Sequence, residues 1–212
     1  SDSIKQLNLF IHSGIINSYN QARDIPSLES TSSLSAGLSL GTLSCRAVWN
    51  GAQAAKKIAT DEYQTTSIDT WIKELAWREF YQNALLNFPE LEKGPYRKKW
   101  FDFPWENRTD WFEAWENGFT GIPIIDASMR QLKNSGWMHN RCRMIVASFL
   151  VKDLLIDWRW GESFFMKSLV DGDLASNNGG WQWSASSGMD PKPLRIFNPF
   201  RQATKFDEKG IY

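Results

Sequence analysis

Between Asp69 and Phe88 the apolar residues Trp71, Ile72, Leu75, Ala76, Phe80, Ala84 and Leu85 recur at helical spacing, and no segment of the chain alternates convincingly between apolar and polar residues. A repeat near 3.6 puts apolar side chains on one face of a helix, whereas a strand needs a repeat of two. The chain is therefore expected to fold as packed helices. Asp69 is suited to cap this helix and Pro89 stops its continuation. Further helices are predicted over about 126–133, ended by Asn134 to Gly136, over about 139–156, over 162–169, and in a short piece near 111–117. Phe101 to Trp105, with Pro104, reads as a loop, and the polar stretch from Tyr19 to Ser35 as an ordered loop leading into a helix. After Gly188 the prolines Pro191, Pro193 and Pro199 read as irregular structure. No repeat or Pro/Gly-rich linker divides the sequence, so one all-α domain is expected over 1–212, with 1–18 as an N-terminal lead-in.

Charge and composition remove several classes. With 24 basic and 24 acidic side chains the formal net charge is +0, which excludes a globally basic nucleic-acid binder and leaves any DNA contact to a local patch. At 42% hydrophobic and 23% charged, the composition is that of a folded globular chain rather than a disordered one. No apolar run approaches the roughly 20 residues of a membrane span; the stretch from Met144 to Ile156 is interrupted by Lys152 and Asp153. The start lacks a basic region followed by a long apolar one, so no secretory signal is read. Because the first residue is Ser1 rather than Met, the chain reads as processed or cut from something longer. Cys45 and Cys142 are too far apart for a metal knuckle or redox motif, and His12 and His139 are too few for a zinc site. The expectation is two free thiols in a reducing, cytoplasmic compartment and no metal.

The chain has 12 Trp, more than packing usually requires, and several stand beside polar residues. Platforms for a planar ligand, for bases or for electron transfer follow as options. Trp71, Glu74, Arg78 and Tyr81 follow one another at steps that share a helix face, with Trp77 close by. Such a face suits either a solvated ion-pair surface or a ligand. In WMHNRCRM, Trp137 to Met144, a stripe of Asn140, Arg143 and Met144 is flanked by Arg141, which suits phosphate or base edges or simply a surface helix end. DGDLASNNGGWQW, Asp171 to Trp183, reads as a tight, backbone-accessible loop. It lacks the full calcium-loop pattern, so its acids fit a structural turn, a cation, or pairing with Arg in a ligand cage. Thr31 to Ser35 (TSSLS) places hydroxyls before a Gly-containing stretch, a weak phosphate signal. No GxGxxG, Walker or Gly-x-Ser-x-Gly motif is present.

Taken together, TSSLS, WIKELAWREFY, GIPIIDASMRQLKNSGWMHNRCRMIVASFLVKDLLIDWRWGE, DGDLASNNGGWQW and RIFNP resemble the FAD-binding helical domain of class I cyclobutane pyrimidine dimer DNA photolyases, in the photolyase/cryptochrome family. The resemblance runs from about Tyr19 to the C-terminus and implies an all-α bowl holding a U-shaped FAD. It places Tyr19, Thr31, Ser32, Ser33, Leu34 and Ser35 at the phosphates and ribityl chain, and Trp71, Glu74 and Arg78 along the cavity. Asn140 and Arg143 face it from the next helix, with Arg143 paired to Asp171. Asp171, Gly172 and Asp173 approach the isoalloxazine edge, and Asn177 faces flavin N5.

The resemblance also implies the chemistry. Reduced, anionic FAD, excited by near-UV or blue light, passes an electron to a pyrimidine dimer flipped out of UV-damaged DNA; the dimer splits and the electron returns. A neutral amide at Asn177 accepts from N5–H without adding charge beside the ring. Glu74 would hydrogen-bond the lesion carbonyl through a retained proton, with burial expected to favour that proton. Trp77 and Trp183 would flank the lesion, with Met144 below it, and Arg23, Arg141 and Gln202 would touch DNA. Trp181, Trp158 and Trp105 match the family's electron-carrying series. Asn140 and Met144 favour cyclobutane dimers over 6-4 photoproducts, whose enzymes carry His at both places.

Where the family usually has Arg, Pro and Pro, this chain has Ser33, Ala36 and Cys45. The family's N-terminal α/β antenna domain has no counterpart in 1–212, and relatives continue with further helices beyond the point matching Tyr212. The domain is thus read as truncated, with no antenna chromophore expected in this chain. A monomer is expected, nucleoid-associated when bound to DNA. The competing readings are a cryptochrome-like blue-light photosensor and a fragment that binds DNA without repairing it.

Overall fold

The computed structural model describes residues 2–190 and 194–212; Pro191 and Pro193, read above as irregular, lie outside them. Among the described residues there are helices and turns but no strand. The chain divides into two compact units, Ser1–Phe80 and Tyr81–Tyr212.

The first unit contains α1 (Asp2–His12), α2 (Ile15–Ala22), α3 (Ser35–Ser39), α4 (Cys45–Ile58) and most of α5 (Glu62–Asn87). Leu7 and Phe10 of α1, Ile16 and Tyr19 of α2, Val48 and Ala52 of α4, and Ile68 and Trp71 of α5 form its core. Gly14, at φ 83, makes the sharp turn between α1 and α2 that other residues adopt at a cost. Ser67 Oγ donates to Ile16 O and accepts from Asn20 N, both at 2.9 Å, and so ties α5 to α2. The helix starts at Glu62 rather than Asp69: Asp61 Oδ1 receives Gln64 N at 2.8 Å as the cap. Asp69 lies inside the helix and takes Lys56 Nζ at 2.6 Å. Tyr19 to Ala22 is helix, not loop, because Ile16 and Tyr19 have an apolar core to enter.

The second unit begins with the last residues of α5 and two 3₁₀ turns, Pro89–Glu92 and Lys98–Trp100. It continues through α6 (Thr109–Glu116), α7 (Pro123–Ser135), α8 (Asn140–Ser148), a π turn (Phe149–Asp153), α9 (Trp158–Ser168), α10 (Leu174–Ser184) and α11 (Pro199–Phe206). Its core gathers Trp115, Ile125, Met129, Leu132, Ile145, Leu150, Trp158, Phe165 and Trp181. Burying each such side chain is worth roughly 1.5–3 kcal/mol. The helices predicted in this half are present with shifted ends. The one expected over 139–156 is α8, whose last turn loosens into the π turn; Leu155, at φ 50, then leaves the helix.

Two expectations fail here. Asp171 to Trp183 is not a loop: from Leu174 it is α10, capped by Asp173, whose Oδ1 accepts Ser176 N at 2.8 Å. Its glycines serve close packing. A Cβ at Gly179 would stand 2.1 Å from Tyr81 Cδ1, so the ring occupies the space a side chain would need. The same holds at Gly161 in α9, where a Cβ would meet Trp181 Cη2 at 2.1 Å. The described part of the irregular C-terminal stretch also contains a helix. Pro199 occupies the first turn of α11, where no backbone N–H is needed, and Asn198 caps it by accepting Arg201 N at 3.0 Å.

Candidate functional site

In the first unit, Tyr19, Arg23 and Glu74 form one polar group. Arg23 Nη1 donates to Glu74 Oε1 at 2.6 Å, and the guanidinium lies 5.4 Å from the Tyr19 ring centre. Burial, with the Glu74 charge adding to it, pushes the Tyr19 phenol well up, so Tyr19 acts as a neutral hydroxyl at any working pH. Glu74 thus faces a cation rather than an apolar wall. Trp71 is buried and packs on Phe10, 5.0 Å between ring centres; it is core in this unit. Arg78 Nη1 reaches Cys45 Sγ at 3.3 Å and Glu79 Oε1 at 3.3 Å. Trp77 is 54% exposed, edge-on to Phe80.

Thr31 and Ser32 are half-buried, Ser33 is exposed and Leu34 is buried. Ser33 sits at φ 52, a conformation costing a non-glycine residue roughly 1–2 kcal/mol. Ser35 opens α3, and no side chain caps that helix.

In the second unit, Arg143 on α8 is fixed from two sides. Its Nε donates to Met138 O at 2.8 Å and its Nη2 to both oxygens of Asp171, at 3.1 and 2.8 Å. The Asp171 side chain is only 2% exposed, so this pair is largely out of water. Gly172 and Asp173 follow, the latter engaged as the α10 cap. Asn177, on the first turns of α10, donates Nδ2 to Glu162 O of α9 at 3.0 Å. A carbonyl can only accept, so this contact sets the amide's orientation and leaves Asn177 Oδ1 as an acceptor with no partner among the described residues.

Asn140 is exposed on the first turn of α8, with Nδ2 3.9 Å from Met144 Sδ. Arg141 stacks on Phe206 of α11, 4.3 Å to the ring centre. Gln202, also on α11, has a buried Oε1 without a partner among the described residues. Trp183 lies against Phe197, 5.7 Å between centres, with the Arg195 guanidinium 5.6 Å away. Trp181 and Trp158 are buried in one core and Trp105 is half-buried against it; Trp105 itself lies tilted against Phe103, 4.5 Å between ring centres.

Sequence reasoning missed the network holding α10. Asn178 Nδ2 donates to Glu162 Oε1 and Leu91 O, both at 2.8 Å. Gln182 Nε2 donates to Asn178 Oδ1, Leu91 O and Gly94 O, and Gln182 Oε1 accepts Tyr96 N at 2.8 Å. Burial raises the Glu162 carboxyl, the hydrogen bond from Asn178 opposes this, and the Glu92 charge adds to the rise. The one signal available was the four-residue spacing of Asn178 and Gln182.

Residues 71–212 match the family described as the FAD binding domain of DNA photolyase. The chain belongs to this family. Among similar proteins, the deoxyribodipyrimidine photo-lyase of Synechococcus sp. is 60% identical over 194 residues, covering 92% of this chain and 40% of that protein. A bacterial class III photolyase from Agrobacterium tumefaciens has TM-score 0.93 and 45% identity, covering 99% of this chain and 43% of that one. A Synechocystis sp. cryptochrome has TM-score 0.89 and 32% identity, covering 99% and 43%. The chain thus spans roughly two fifths of the length of the relatives it matches. No helix is long and apolar enough to cross a membrane among the described residues.

Proposed function

We propose that this chain holds FAD and, with the flavin reduced, splits cyclobutane pyrimidine dimers in DNA under near-UV or blue light. The observation that carries the reading is Asn177: Glu162 O takes its Nδ2 and leaves Oδ1 as an acceptor without a partner among the described residues. A reduced flavin presents an N5–H donor, and a neutral acceptor meets it without adding charge. The other residues fit the same group. Hydroxyls and uncapped N–H groups at Thr31 to Ser35 suit phosphate oxygens. The Arg143–Asp171 pair offers a polar edge already neutralised, which suits a planar heterocycle with donors and acceptors.

FAD, when bound, supplies the photoexcited electron that opens the dimer and receives it back. The protein's part is positioning. Glu74 exchanges Arg23 for a lesion carbonyl, taking up a proton from water so that it can donate to that oxygen, and the freed Arg23 guanidinium meets a DNA phosphate. Exposed Trp77 in the first unit, and half-buried Trp183 and Met144 in the second, are each apolar surfaces suited to a flipped-out pyrimidine dimer, and Asn140 and Arg141 suit the strand beside it. The reading includes action as a monomer, and Trp181, Trp158 and Trp105 restore the reduced flavin.

The test is loss of dimers from a thymine-dimer oligonucleotide, with FAD-loaded, dithionite-reduced protein, in light against dark. Light-dependent loss is expected. No loss despite bound reduced flavin would overturn repair and favour a photosensor, the reading that the likeness to the Synechocystis cryptochrome supports.

A further inference from the structure

We propose that Arg97 is a positioning residue for Trp183, acting through Asp190 and Arg195; this rests on the reading above, in which Trp183 flanks the lesion. Arg97 belongs to none of the motifs that resemble the family, yet its donors converge on the segment that follows α10. Its backbone N–H donates to Ser187 O at 2.8 Å, its Nε to Gly188 O at 2.9 Å and its Nη2 to Asp190 O at 2.6 Å. The guanidinium is a planar fork of fixed geometry, so one side chain sets the spacing of two carbonyls.

The start of this segment is held separately. Ser186 Oγ accepts Lys152 Nζ at 2.7 Å and Leu194 N at 2.8 Å, and Gln182 O accepts Ser187 N and Gly188 N at 3.0 and 3.1 Å. Arg97 extends that hold to Asp190, where backbone placement becomes side-chain placement. The Asp190 side chain is 7% exposed and stands 3.8 Å from Arg195 Nη2, whose own side chain is 49% exposed. A carboxylate so far out of water needs a cation opposite it, so the Arg195 guanidinium follows the pinned Asp190. That guanidinium lies 5.6 Å from the Trp183 ring centre, within cation–π reach, and Phe197 packs on the same indole at 5.7 Å. Phe197 is fixed in turn, its N–H donating to Ser148 Oγ at 3.1 Å. Trp183 thus has one neighbour tied to α8 and another tied, through Asp190, to Arg97.

Holding the indole matters for one part of binding only. Rotation left in the ring is lost when a base stacks on it, so a ring fixed beforehand binds the base more tightly. An intact duplex keeps its bases inside the stack and makes little use of that surface, whereas a flipped-out dimer depends on it. Contacts to phosphates carry no such preference. Arg97 therefore acts on the discrimination between damaged and intact DNA.

The test measures, by fluorescence anisotropy in the dark, binding of the FAD-loaded full chain to a duplex carrying one thymine dimer and to the same duplex undamaged. The variants are Arg97→Ala and Arg97→Lys; lysine keeps the charge but cannot span the two carbonyls. Both are expected to lose about ten-fold in preference for the dimer duplex, with affinity for the undamaged duplex and flavin content unchanged. In a Trp183→Ala background Arg97→Lys is expected to lose nothing further, because the ring it positions is gone. Should Arg97→Ala fail to fold, Arg97→Lys and its cycle with Trp183→Ala decide alone. The parental preference in Arg97→Lys, equal losses on both duplexes, or an additive loss in the Trp183→Ala background would overturn the positioning role alone. A parent with no preference for the dimer duplex, or a preference untouched by Trp183→Ala, would overturn the lesion reading and the role of Arg97 with it.

Discussion

Arg23 with Glu74 in the first unit and Arg143 with Asp171 in the second are both arginine–carboxylate contacts, at 2.6 and 2.8 Å, yet they sit in different surroundings. Glu74 keeps 34% of its side chain exposed, whereas Asp171 keeps 2%. Arg143 has a second tether to Met138 O, while Arg23 rests on a tyrosine ring. The two arginines are exposed alike, at 23% and 24%, so the difference lies in the carboxylates: water reaches Glu74 and can replace its partner at modest cost, but it does not reach Asp171. The second pair is built to stay and the first to exchange.

Three substitutions break or sharpen this contrast. Asp171→Ala leaves the Arg143 guanidinium without its buried counter-charge, so stability should fall by about 3–5 kcal/mol in urea unfolding; a loss near that of a surface pair would erase the distinction. A smaller effect is expected at Glu162, a carboxyl neither exposed like Glu74 nor ion-paired like Asp171. Its titration is raised in the folded chain, so the folded state binds more protons than the unfolded one. The stability it contributes is complete below the ordinary carboxylate range and is lost as pH rises through the raised value. Unfolding midpoints measured against pH should decline across that window, and Glu162→Gln should flatten the decline. Smallest in stability is Glu74→Ala, expected to cost no more than about 1 kcal/mol and to leave flavin content alone. Repair yield in the same protein should fall substantially, and an unchanged yield would return Glu74 to the role of a surface ion pair.

How much of this could be read from the chain depends on where each signal resides. The periodic helices α5, α7 and α9 were legible because each turns apolar residues to a core, although in α5 only Trp71, Ile72 and Leu75 of the stripe do so and Ala76 and Phe80 are exposed. The helix α10 was not: Asn177, Asn178, Gly179 and Gly180 resemble a turn until Tyr81 is found lying on Gly179. In α11, Pro199 was taken as a breaker because a proline's meaning depends on whether it begins or interrupts a helix. The site residues were legible only through long motifs that resemble a family. Of their partners, Asp171 opposite Arg143 was legible through the same resemblance; the backbone acceptors Glu162 O and Met138 O were not, since where a carbonyl points is decided by the folded backbone and not by residue type. The pairing of Glu74 with Arg23 escaped notice because packing between distant segments decides it.

The bare Cα of Gly161 beneath the Trp181 indole has a consequence for variation in this chain. Phe165 and Trp115 hold the ring from other sides, so it has nowhere to retreat from an added methyl group. A position with no side chain, no charge and no ligand contact is therefore among the least replaceable in the second unit. A mutational survey would score Gly161 beside the residues that do chemistry, although its whole contribution is the room it leaves.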